Sequence, residues 1–130
     1  MRRIKYRGKC KKDGKWYFGN LYDKDTRGRT HICTIEGGCL DIDPNTVGQS
    51  TGLCDKNGTE IYEGDIVQSR DFTSSRSEVI WLPKRAAFGF RIYWRDDPED
   101  YILGDWLTFD GTIKVIGNIH DNPELIKKID

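Results

Sequence analysis

The stretch Phe88-Gly-Phe-Arg-Ile-Tyr-Trp-Arg95 decides the fold class. Phe88, Phe90, Ile92 and Trp94 fall on one side of an extended chain, and Gly89, Arg91, Tyr93 and Arg95 on the other. Such period-two alternation suits a half-buried strand, because a helix repeats its faces every 3.6 residues. The inventory agrees. Val, Ile and Thr total 27 and the aromatic residues 15, whereas Ala, Leu and Met together total 10. β-Branched and aromatic side chains are stiff at χ1 and pack well on a pleated surface. The chain is read as mostly β.

Working outward, further strands are expected over residues 15–22, 30–35, 65–68, 78–82, 106–109 and 113–119, with another short one over 99–103. Turns are expected at Asp13-Gly14, Asn57-Gly58, Glu63-Gly64 and Asp110-Gly111, where Gly supplies the positive φ that tight reversals need. Residues 23–29, 37–48, 71–77 and 95–100 read as loops. A short C-terminal helix is expected, with Asn122 as N-cap, Pro123 at the first helical position and Leu125, Ile126 and Ile129 on one face.

A chain of 130 residues fits one domain or a small barrel with an added piece, burying about two-thirds of its unfolded surface. No stretch approaches the roughly 20 apolar residues of a membrane span, and the basic N-terminus has no apolar segment behind it. A soluble cytoplasmic protein is therefore expected. Charge is neutral in sum but uneven. Residues 1–30 hold 11 cations against 3 carboxylates, and residues 31–130 hold 10 against 18. Two readings follow: a basic segment for a polyanion, or pairing of that segment with the acidic remainder. The second is favoured, because nucleic-acid domains are usually basic overall. Zero net charge also favours self-association.

Chemistry-bearing motifs are sparse. Cys10, Cys33, Cys39 and Cys54 contain no C-x-x-C pair, and His31 and His120 are the only histidines, so no zinc site is expected. Without an export signal the cysteines read as small thiols rather than disulfides. Asp96-Asp-Pro-Glu-Asp100 lacks the ligand spacing of a calcium loop and reads as a solvated turn. His31 and Cys33 share a strand face, yet no elbow or oxyanion signature accompanies them, so no enzyme is expected. Neither a P-loop nor a dinucleotide fingerprint is present, and no cofactor is expected. The better positive signal is basic and aromatic: Lys84, Arg85, Arg91, Tyr93 and Arg95 could form a face for stacking bases, or be ordinary cross-strand decoration.

The segment Gly48-Gln-Ser-Thr-Gly-Leu-Cys-Asp-Lys-Asn-Gly-Thr-Glu-Ile-Tyr-Glu-Gly-Asp-Ile-Val67 resembles the signature of the YopX family of phage and prophage proteins. Ile4 to Lys9 with Gly14 to Gly19 resembles that family's N-terminal strand pair, and Val115 to Leu125 its closing strand and short helix. Ser50, Cys54 and His120 depart from the family's expected aromatic, Lys and Tyr, which argues against a required role there. The resemblance implies an N-terminal β-rich portion over residues 1–45 and a C-terminal SH3-like small barrel over 46–130. It implies no reaction, and it implies expression inside a bacterial host.

Within the motif, Asp55, Asn57 and Gly58 form one tight reversal, Gly64 and Asp65 belong to a second, and Ile61 and Ile66 enter the core. Each has a sufficient architectural job. The expectation is a non-enzymatic binding or assembly module with a protein partner or self-association. Trp16, Tyr17, Arg91, Tyr93 and Arg95 are its candidate surfaces. The first alternative is nucleic-acid binding through the basic segment that includes Arg2, Arg3, Lys5 and Arg7, and the second an unidentified enzyme.

Overall fold

The computed structural model describes residues 4–69, 76–94, 97–109 and 111–126. The chain divides into two compact units, residues 1–50 and 51–130, so the division falls within a strand rather than after residue 45.

In the first unit, β1 (Tyr6–Lys9), β2 (Trp16–Tyr22), β3 (Thr30–Cys33), β4 (Cys39–Ile42) and the start of β5 (Gly48–Cys54) form an antiparallel sheet ordered β4-β3-β2-β1-β5. The turns are built by short polar residues. Gly14 has φ 71°, and the Asp13 carboxylate accepts from the Lys15 N–H at 2.9 Å. Asp25 does the same for the N–H groups of Arg27 and Arg29 in the β2–β3 turn. Residues 37–48, expected as a loop, contain β4 and a 3-10 turn, Pro44–Thr46, capped by Asp43. Four residues are too few to show a period, so β4 is recruited by pairing with β3 and not by its own pattern.

One face of this sheet is a small core of Cys10, Ile32 and Ile42, flanked by Tyr6, Tyr17, Leu21, Leu40 and Val47. Close packing requires glycine twice: a Cβ on Gly8 would run into Ile42 Cγ2, and one on Gly19 into the Cys33 carbonyl oxygen. Cys33 and Cys39, directly opposite in the β3–β4 register, are joined by a disulfide. This corrects the expectation of free thiols. Register places the two Cα atoms 4.0 Å apart, and that proximity was invisible to an argument from cell compartment alone.

The second unit contains β6 (Glu60–Tyr62), β7 (Asp65–Gln68), β8 (Arg76–Glu78), β9 (Ile80–Leu82), β10 (Ala87–Trp94), β11 (Asp97–Ile102), α1 (Leu103–Phe109) and β12 (Lys114–Asn118). Its antiparallel sheets run β11-β10-β9 and β12-β7-β8, and among the described residues they do not close into a continuous barrel. The chain changes sheet at Val79, whose N–H and carbonyl are taken by Asp65 and Gly64. The core is Ile61, Val67, Val79, Phe90, Ile92, Leu103 and Ile113. Phe90 and Ile92 are buried while Arg91 is exposed, as the alternation predicts.

Three local expectations are corrected. Trp106–Phe109 is helical, because Leu103, Trp106 and Leu107 stand at i, i+3 and i+4 and pack together on the core. The expected reversal before β12 is therefore entered from a helix, and Asp110 lies outside the described residues. The acidic stretch 97–100 is strand, not a loose turn, since β11 pairs with β10 along its length. The C-terminal helix is a 3-10 turn, Pro123–Ile126, among the described residues. The Asn122 side chain is used differently from a cap, accepting from the Asn118 N–H at 3.2 Å.

The motif turns act as expected of a scaffold. Asp55 is buried; Oδ1 accepts from the N–H groups of Asn57 and Thr59, and Oδ2 from that of Val115, each at 2.9 Å. Gly58 and Gly64 have φ 80° and 91°, where a side chain would be strained. Buried Asp65 accepts from the Tyr62 N–H at 2.7 Å, and the Gly64 carbonyl accepts from the Ile119 N–H. The signature thus fastens the last strand to the turns that precede β7.

Candidate ligand-binding face

Strand alternation sorts the first unit into two faces. The register pairs Lys9 with Trp16 and Arg7 with Phe18 on one face, and Gly8 with Tyr17 and Tyr6 with Gly19 on the other. The core takes the second set. The first set continues through Asn20 and Tyr22 on β2, His31 and Cys33 on β3, and Cys39 and Asp41 on β4. This face carries aromatic rings and cations with no aliphatic side chain among the named positions.

Phe18 is 46% and Tyr22 58% exposed, although β2 is an inner strand of the sheet. The Arg7 guanidinium lies 4.8 Å from the Trp16 ring centroid and the Lys9 ammonium 5.7 Å from it. Such cation–π contacts fix the indole and concentrate positive charge beside it. Both ends of β2 run into basic turns: Lys11, Lys12 and Lys15 before it, Lys24, Arg27 and Arg29 after it. Lys11 lies 3.9 Å from Asp41, and Arg29 donates to Asp25 at 3.1 Å; Lys12, Lys24 and Arg27 are exposed.

At the far end, His31 Nε2 is 2.8 Å from Asp25 Oδ2, while its buried Nδ1 has no hydrogen-bond partner among the described residues. The Asp25 carboxyl is held well below the ordinary carboxylate range, first by His31 and then by the Arg29 N–H. Cys33, two residues on, is in the disulfide and has no thiol to pair with His31. On the opposite face, Tyr17 packs against the core and donates to Asp13 at 2.6 Å. That bond lowers the pKa of Asp13 and raises that of Tyr17.

The structure therefore brings Arg7 and Trp16 together and separates Trp16 from Tyr17. Lys5 precedes β1 in the same unit. Arg2, Arg3 and Arg95 lie outside the described residues, as does the side chain of Tyr93, whose backbone is in β10. Arg91 is committed across the sheet to Asp100, with Nε to Oδ1 at 2.7 Å and Nη2 to Oδ2 at 3.3 Å. That bond, more than the nearby charges of Arg85 and Lys84, keeps the Asp100 carboxyl acidic. Of the two alternatives for the 84–95 cluster, cross-strand pairing describes Arg91. Phe18, Lys9 and Tyr22 went unnominated, although Trp16-x-Phe18-x-Asn20-x-Tyr22 is a period-two pattern of its own.

No three His, Cys, Asp or Glu side chains among the described residues come together to hold a metal ion. No described helix is long and apolar enough to cross a membrane.

No curated protein matches the chain. Among solved structures it is similar to protein EF1440 from Enterococcus faecalis, at 24% identity and a TM-score of 0.49, over 98% of this chain and 100% of that one. The family model described as YopX protein matches residues 5–127, so the chain belongs to the YopX family.

Proposed function

We propose that this chain is a non-enzymatic binding module of phage or prophage origin, working in the cytoplasm of a bacterial host. One observation carries the reading: Phe18 and Tyr22 stand exposed on an inner strand, between cations. Exposed rings ordered by a rigid sheet are recognition surfaces, because large apolar area is presented at low entropic cost. The motif residues Asp55, Gly58, Gly64 and Asp65 support the same view, being used up in turns and strand closure. For the second unit, two short sheets around one core make an SH3-like barrel the finer classification we propose.

The test is residue-resolved NMR of the full chain titrated with the nucleic-acid and protein fractions of a bacterial lysate. The reading expects shifts concentrated on Trp16, Phe18 and Tyr22 and lost in the Phe18→Ala/Tyr22→Ala double variant. Shifts confined to other surfaces would overturn it.

A further inference from the structure

We propose that the ligand of the β1–β2 face is a single-stranded nucleic acid, its bases stacked on Phe18 and Tyr22 and its phosphates held by the turns at both ends of β2. This rests on the binding-module reading. Three observations choose the ligand class. The first is charge: residues 1–50 hold 11 Lys and Arg against 6 Asp and Glu, while residues 51–130 hold 10 against 15. A polyanion is complementary to the first unit alone, and whole-chain neutrality conceals this.

The second is composition. The face offers exposed Phe18 and Tyr22 and half-buried Trp16 and Lys9 beside a buried Arg7, and no aliphatic side chain among the positions that alternation places there. Protein-binding patches are depleted of Lys at their centre, whereas strand-binding surfaces interleave cations with rings. The third is spacing. Phe18 and Tyr22 are four residues apart on β2 and stand about 13 Å apart along the strand, about two strides of an extended single strand. The whole of β2 is about 20 Å long and ends in cations on either side, Lys12 before it and Lys24 and Arg27 beyond it. A duplex hides the faces of its bases, so rings at this spacing select unpaired strands.

Fluorescence anisotropy of a labelled oligothymidylate of about 12 nucleotides, titrated with the full chain at two salt concentrations, tests this. Phe18→Ala and Tyr22→Ala should each weaken binding about tenfold while leaving the salt slope in place. Lys12→Ala/Arg27→Ala should flatten the log–log salt slope by about 1.4. Absence of binding, equal affinity for a duplex of the same length or for polyglutamate, or wild-type affinity in both ring variants would each overturn the proposal. Should the protein fraction shift the Phe18 and Tyr22 resonances while the oligonucleotide leaves them still, the ligand class falls and the binding module stands. Should neither shift them, both fall.

Discussion

The two units treat the same side chains in opposite ways. In residues 51–130 the rings of Phe90, Tyr101 and Trp106 pack on one another, with centroids 5.1–5.9 Å apart, and Arg91 is held by Asp100. In residues 1–50 Phe18 and Tyr22 are turned outward on a sheet whose core face, among the described residues, buries Cys10, Ile32 and Ile42. Both stretches, Trp16–Tyr22 and Phe88–Arg95, show the same alternation of rings with other residues. Period two says that a strand has two faces. Which face is buried depends on what the fold lays against it.

The sharpest way to break this contrast is to remove one ring from each unit. Phe90→Ala should cost about 3–5 kcal/mol, from lost burial and the cavity left behind, whereas Phe18→Ala should stay within about 0.5 kcal/mol. Chemical denaturation of the two variants decides it, and equal losses would erase the distinction. A smaller effect is expected at the signature. Asp55→Ala strands three N–H groups, two in its own turn and one on Val115, and should cost about 2–3 kcal/mol. Wild-type stability would mean that the motif does not fasten β12. Hydrogen exchange at Val115 should quicken in the same variant.

The smallest effects separate the units by pH. Asp25 titrates below its ordinary 3.8, so its contribution is present above that value and is lost as pH falls through the lowered one. Glu78 is shifted upward from its ordinary 4.5, mainly by burial and secondly by the charge of Glu63. Its native state binds the proton more tightly, so stability declines as pH rises from 4.5 through the raised value. Stability against pH should therefore show an acid-side rise that Glu78→Gln removes and, below it, a fall that Asp25→Asn removes. Identical curves for wild type and variants would sink both assignments.

Much of this fold was legible where one local rule acted alone. The β10 alternation and the glycines at 14, 58 and 64 needed no tertiary information, because sterics dictate them. Legibility failed where rules competed. Trp106, Thr108 and Phe109 favour strands by type, but Leu103, Trp106 and Leu107 are spaced for a helix, and packing on the core settled the contest. At the candidate face, Trp16 and Tyr17 looked like a single surface from their adjacency, yet neighbours on a strand point apart. The disulfide escaped for a related reason: Cys33 and Cys39 are brought together by strand register, which no count of cysteines contains.

The state of the four sulfurs has a practical corollary. Two are joined, Cys10 is enclosed, and Cys54 is open to solvent at the end of β5. A maleimide dye or nitroxide applied without reductant should attach at one position of the native sequence. The molecule thus brings its own attachment point for a reporter, and occupancy can be followed optically without engineering a cysteine into it.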